Sequence, residues 1–117
     1  MAVNRNCVAP GEMLKDTYFG HTLSILGGKH KMIIIYLIAQ SGNNIRFNEL
    51  HREMGGVSYK ALSMALKELA AAGTVERREY PQIPPRVEYS LTEKGLSLLP
   101  IMDAMCAWGR EHSLKIF

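Results

Sequence analysis

Cysteine is scarce in this chain: Cys7 and Cys106 are the only two among 117 residues, too few for a disulfide framework. Long apolar runs are missing as well. The longest covers 32–39, well short of the roughly 20 residues that a membrane-spanning helix needs. The first ten residues carry Asn4, Arg5 and Asn6 and no apolar stretch, so they do not read as a secretory signal, and a cytoplasmic location is the expectation. Low-complexity tracts and repeats are absent. His21, His30, His51 and His112 are scattered, and no CxxC, HxxxH or HExxH spacing links them, which leaves no expected metal site. No phosphate loop, nucleophile–base pair or paired carboxylates stand out, so neither a cofactor nor an enzyme is expected. An excess of one charge is lacking too. The net charge is only +3, with a pI near 9.0, and 46–95 holds eight Lys or Arg against seven Asp or Glu. A basic balance permits a polyanionic partner without establishing one. Any case for nucleic acid therefore has to come from geometry.

What is present is a run of short, well-punctuated elements. Residues 1–16 are poorly patterned and broken by Pro10-Gly11, reading as an arm or a short helix. A helix is predicted over 17–26, ended by Gly27-Gly28. A second, over 29–40, carries Ile33, Ile34, Ile35, Leu37 and Ile38. Apolar residues all round its circumference predict a central core helix. After a turn at 41–44, Phe47, Leu50 and Met54 form one helical stripe. Gly55-Gly56-Val57 then turns the chain, and Ser58 is a suitable N-cap for a helix over 58–72 with Leu62, Leu66 and Leu69 on one face. Strands are expected over 75–80 and around Val87, Tyr89 and Leu91, joined by the stiff loop Pro81-Gln82-Ile83-Pro84-Pro85. Thr92 can cap a final helix reaching about residue 112, with Pro100 kinking or breaking it.

Helix, helix, short helix, tight turn, helix, hairpin, helix is the order of a winged helix-turn-helix. The expected fold is therefore mainly α with a small β-hairpin (α+β), a domain over 17–112 followed by a tail at 113–117. A major groove about 12 Å wide admits one helix, braced by the one before it. Stepping at 100° per residue from Leu62 puts Lys60, Met64, Lys67 and Ala71 opposite the buried face and Ser63 at its flank. Ser58 and Tyr59 fall at the N-terminal end, where base contacts concentrate. The candidate DNA-binding residues are Arg46, Ser58, Tyr59, Lys60, Ser63, Met64, Lys67, Arg78 and Arg86. Each has a plainer reading. Lysines are common on any surface, Met64 can meet a thymine methyl or only water, and the wing arginines can simply pair with Glu76, Glu79 and Glu88. Winged-helix modules also bind proteins, and the near-neutral charge of 46–95 keeps that alternative open. Cys7 is either a redox-sensing thiol, given a nearby cation to lower its pKa, or an inert residue of the arm. Cys106 lies on the apolar side of its helix, which predicts buried packing.

Several segments resemble the HxlR family of bacterial winged-helix regulators: Arg46-Phe47-Asn48-Glu49-Leu50, Val75-Glu76-Arg77, Pro84-Pro85-Arg86-Val87-Glu88-Tyr89, Leu91-Thr92-Glu93-Lys94-Gly95 and Trp108-Gly109. The resemblance implies a transcriptional regulator, commonly a repressor, with its recognition helix over 58–69 on a duplex DNA operator. It implies a homodimer held by the first and last helices, with Leu23, Leu26, Leu99, Met102, Met105, Cys106 and Trp108 as interface candidates. A small-molecule or redox effector is a further implication, its identity open. Two positions depart from the family pattern. His30 stands where the family usually has Trp after Gly-Gly-Lys. Thr17-Tyr18 stands where many members carry the sensor cysteine and a proline, and Cys7 lies ten residues earlier.

Overall fold

The computed structural model describes Cys7, Gly11 and residues 13–113. A 3-10 turn, Leu14–Asp16, leads into α1 (Tyr18–Leu26) and α2 (Lys31–Gln40). There follow β1 (Ile45–Arg46), α3 (Phe47–Glu53), α4 (Tyr59–Ala71), β2 (Val75–Tyr80), β3 (Arg86–Leu91), α5 (Glu93–Leu96) and α6 (Leu99–His112). Three of these helices begin on hydroxyl caps. Thr17 Oγ1 accepts from the Gly20 amide at 2.8 Å, Ser58 Oγ from Ala61 at 3.0 Å and Thr92 Oγ1 from Gly95 at 3.1 Å. Each satisfies a donor that the first helical turn leaves open. The corner between α3 and α4 is made by Gly55 and Gly56 at φ 65° and 103°, a backbone region that residues with a Cβ avoid.

One core joins these elements. Ile34, Ile35 and Ile38 of α2, Leu50 of α3 and Leu62, Leu66 and Leu69 of α4 pack with Ile45, Val75, Tyr89 and Leu91. Each buried aliphatic side chain contributes about 1.5–3 kcal/mol. At the foot of the sheet α5 lies so close that a Cβ on Gly95 would sit 2.1 Å from the Thr74 carbonyl oxygen. Among the described residues no single helix is long and apolar enough to cross a membrane; α1 and α2, which pass that test as a pair, meet at 68°.

The structure corrects the expected architecture in five places. The hairpin is part of a three-stranded antiparallel sheet of order β1-β3-β2. Two-residue β1 is too short to show alternation, and it is fastened by Asn43, whose Oδ1 accepts from the Leu91 amide at 2.8 Å. The final helix does break, but at Ser97 and Leu98 and not at Pro100, which sits in the first turn of α6, where its missing N–H costs nothing. Only one face of α2 is buried; Ile33 and Tyr36 are exposed. Of the residues expected at a dimer interface, Leu26 and Met102 are buried in this protomer's own core. Leu26 ends α1 facing that core, and Met102 lies on the first turn of α6, before that helix leaves it. Cys106, expected to be buried, is exposed: among the described residues α6 buries no side chain beyond Met102.

Candidate nucleic-acid interface

Helix α4 carries its charges asymmetrically. Glu68 points toward α2, where Lys31 Nζ approaches it at 2.9 Å while also donating to the Ser24 carbonyl at 3.2 Å. Ser63, Leu66, Lys67 and Ala70 (spacing i, i+3, i+4, i+7) instead form one wall of an open cleft of about 740 Å³. Strand alternation builds the facing wall, since Arg77 shares a sheet face with Val87 and Tyr89 and all three line the cleft. Arg46, Asn48 and Arg52 come from β1 and α3, and Gln82, Pro84 and Pro85 from the wing tip. Arg46, Arg52, Lys67 and Arg77 line this cleft against a single acid, Glu49; Arg86 also borders it, but its guanidinium pairs with Glu88 on the other face of the sheet. A module that is nearly neutral in composition therefore presents one strongly cationic concavity.

Of the sequence candidates, the cleft gathers Arg46, Ser63, Lys67 and Arg86. Ser58, Tyr59, Lys60 and Met64 are exposed along the N-terminal half and outer side of α4, with the Ser58 hydroxyl spent as the cap. Arg78 falls on the opposite face of the sheet, with Asn44, Tyr80 and Glu88. Its pKa is pushed further up, chiefly by a hydrogen bond to Tyr80. Asn48, Arg52 and Gln82 are not singled out from sequence, and Arg77 is named there only as a wing arginine beside Arg78 and Arg86. Period-2 alternation from buried Val75 identifies Arg77, and the wheel of α3 opposite Leu50 identifies Asn48 and Arg52.

The wing is braced by an acid rather than by apolar packing. Glu88 is only 4% exposed. Arg86 bridges to it through both Nε and Nη2, and Asn44 Nδ2 donates to it at 3.0 Å. The Asn44 hydrogen bond first, then the Arg86 one, hold the Glu88 carboxyl below the ordinary carboxylate range. The Arg86 guanidinium also lies 5.1 Å from the centre of the Tyr80 ring. Arg77 and Arg78 make longer pairs with Glu79 and Glu76, at 3.5 and 3.7 Å, of the exposed kind that holds a side chain weakly.

A second cluster stands at the corner between α3 and α4. Phe47 and His51, one turn apart on α3, both stack on Tyr59, the first residue of α4. Thr17, at the sensor-cysteine position that the family resemblance implies, is buried. Besides capping α1, its hydroxyl donates to the Leu14 carbonyl at 2.7 Å. The free thiols described are half-buried Cys7 and exposed Cys106. Among the described residues no group of three His, Cys, Asp or Glu side chains is arranged for a metal ion.

The HxlR-like helix-turn-helix family matches residues 25–116. An HTH-type transcriptional regulator of Halalkalibacterium halodurans is 58% identical over 96 residues, which span 82% of this chain and 84% of that protein. Among solved structures, the redox regulator HypR in its reduced form superposes with a TM-score of 0.76 at 41% identity, covering 81% of this chain and 92% of that one. The reduced form of the transcriptional regulator YodB from B. subtilis gives 0.73 at 32% identity, covering 83% and 93%.

Proposed function

Because the chain belongs to the HxlR-like helix-turn-helix family of DNA-binding transcription regulators, we propose that it reads its operator with α4 in a major groove and its wing along the adjoining backbone. The observation that carries this reading is the cleft between them, with Arg46, Arg52, Lys67 and Arg77 against one acid. Duplex DNA offers one phosphate per roughly 1.7 Å of axis, so such a concavity gains by displacing condensed counterions. Lys67, Arg52, Arg77 and Arg46 supply phosphate contacts. Tyr59, Lys60, Ser63 and Met64 face the base edges.

The working unit is a homodimer. Support comes from α1 and α6, where Tyr18, Phe19, Leu23, Met105 and Trp108 leave large apolar side chains open to water, the kind of surface that a protein partner covers. Two α4 helices would then meet half-sites about one helical turn, or a multiple of it, apart on a pseudo-palindrome. HypR is a redox regulator; a redox effector would act here through Cys7 or Cys106, since Thr17 has no thiol.

The test is duplex selected from a random pool, titrated against protein at several salt concentrations. Lys67→Ala and Arg52→Ala should each weaken binding and lower the salt slope by about one, whereas Lys29→Ala, remote from the cleft, should do neither. Failure of the native chain to bind any duplex at low salt would overturn the reading in favour of a protein partner on the same surface.

A further inference from the structure

The cleft does not account for the aromatic cluster at the α3–α4 corner. Tyr59 opens the helix proposed to enter the groove, and its side chain is 60% exposed. A tyrosine so exposed ordinarily samples several rotamers. This one does not stand free: the His51 ring lies parallel to it at 4.0 Å with an 11° interplanar angle, and Phe47 adds an offset contact at 6.0 Å and 18°. His51 is itself fixed, because its Nε2 donates to the Val57 carbonyl at 2.7 Å. One imidazole thus ties down the corner of the helix-turn-helix and the first side chain of the helix beyond it.

Resting on the DNA-binding reading, we infer that His51 is a positioning residue for operator discrimination, which holds the Tyr59 ring so that its hydroxyl meets a base edge in the major groove. The ordering of a side chain on binding costs free energy, and a ring already clamped on one face has lost that freedom before the encounter. The clamp matters most for a directional contact. A hydroxyl reaching a base edge must arrive within hydrogen-bond distance and angle, whereas attraction to phosphate tolerates displacement. His51 therefore acts on the difference between correct and incorrect sequences, through Tyr59, without touching DNA itself. The two functions of the imidazole are separable. Phenylalanine keeps a ring to stack and loses the hydrogen bond to Val57, and glutamine keeps a donor and loses the ring.

The experiment measures affinity for a selected operator and for an unrelated duplex of the same length, across salt, for the native chain and for Tyr59→Phe, His51→Gln, His51→Phe and His51→Gln with Tyr59→Phe. Tyr59→Phe and His51→Gln should each reduce the ratio of specific to non-specific affinity by about tenfold, the low end for one base contact. Non-specific affinity and salt slope should stay unchanged. His51→Phe should restore most of the ratio, and the double variant should lose no more than either single one, as expected for two residues acting as a unit. Three results would overturn the inference: an unchanged ratio in His51→Gln, a uniform loss on both duplexes with a smaller salt slope, or additive losses in the double variant. If Lys67→Ala also leaves binding untouched, the DNA reading falls with it. If Lys67→Ala weakens binding as expected, only the role of His51 falls.

Discussion

Glu88 shows how a single residue serves both stability and site. Its carboxylate lies beneath the wing, where Asn44 and Arg86 hold its pKa down. A group whose folded pKa is depressed lends stability that is present above its unfolded pKa and is lost as pH falls through the folded value. Acid should therefore loosen the wing in the pH range below the ordinary carboxylate value of 4.5. Melts from neutral to acid pH should show that part of the pH dependence vanishing in Glu88→Gln. Arg86→Ala is a compound change, because it strips a nearly buried carboxylate of its cation as well as altering the rim of the cleft. Its DNA-binding loss should come with a lower melting temperature, unlike the loss in Lys67→Ala. The wing arginines thus have a structural occupation that the sequence alone set against a DNA contact.

At the scale of elements, the joint between sheet and α5 tolerates little change. Gly95→Ala puts a Cβ 2.1 Å from the Thr74 oxygen, and backbone cannot yield as a flexible side chain can. Overpacking of this kind costs about 1–3 kcal/mol or more, so a urea titration should show a lower midpoint with little change in slope. The helices and wing strands were legible because each carries its own signal: a hydroxyl cap at Ser58 and Thr92, a leucine stripe from Leu62 to Leu69, prolines across the wing tip. β1 was not, since two residues contain no period, and its place depends on the non-local pairing of Ile45 with Tyr89. The cleft was half legible. Lys67 follows from a helical wheel, but that Arg77 rather than Arg78 joins it depends on which face of the wing turns toward α4, and the imperfect apolar alternation of 75–80 obscured this. Charge counting failed because it cannot see Glu68 turned aside to Lys31.

At the scale of the molecule, α6 is largely exposed among the described residues. Met102 is the only buried side chain of α6, a helix roughly 21 Å long at 1.5 Å per residue, and Trp108 stays 64% exposed, stacked on His112. A second copy is the partner that a symmetric operator would require. Trp108→Asp with Met105→Asp should yield monomers by sedimentation. Affinity for a full operator should then fall more than affinity for a half-site, because the second half-site no longer binds as a linked event. Dimers that survive this double change would place the interface elsewhere.

The central claim is that a cationic cleft between α4 and one face of the wing carries the DNA, and Arg77 and Arg78 test it most directly. They are adjacent in sequence, alike in charge, similarly paired to a glutamate, and on opposite faces of β2. The measurement is the salt dependence of operator binding for Arg77→Ala and Arg78→Ala. Arg77→Ala should weaken binding and lower the salt slope by about one, while Arg78→Ala should match the native chain in both. Equal losses from the two, or a loss from Arg78→Ala alone, would contradict the account.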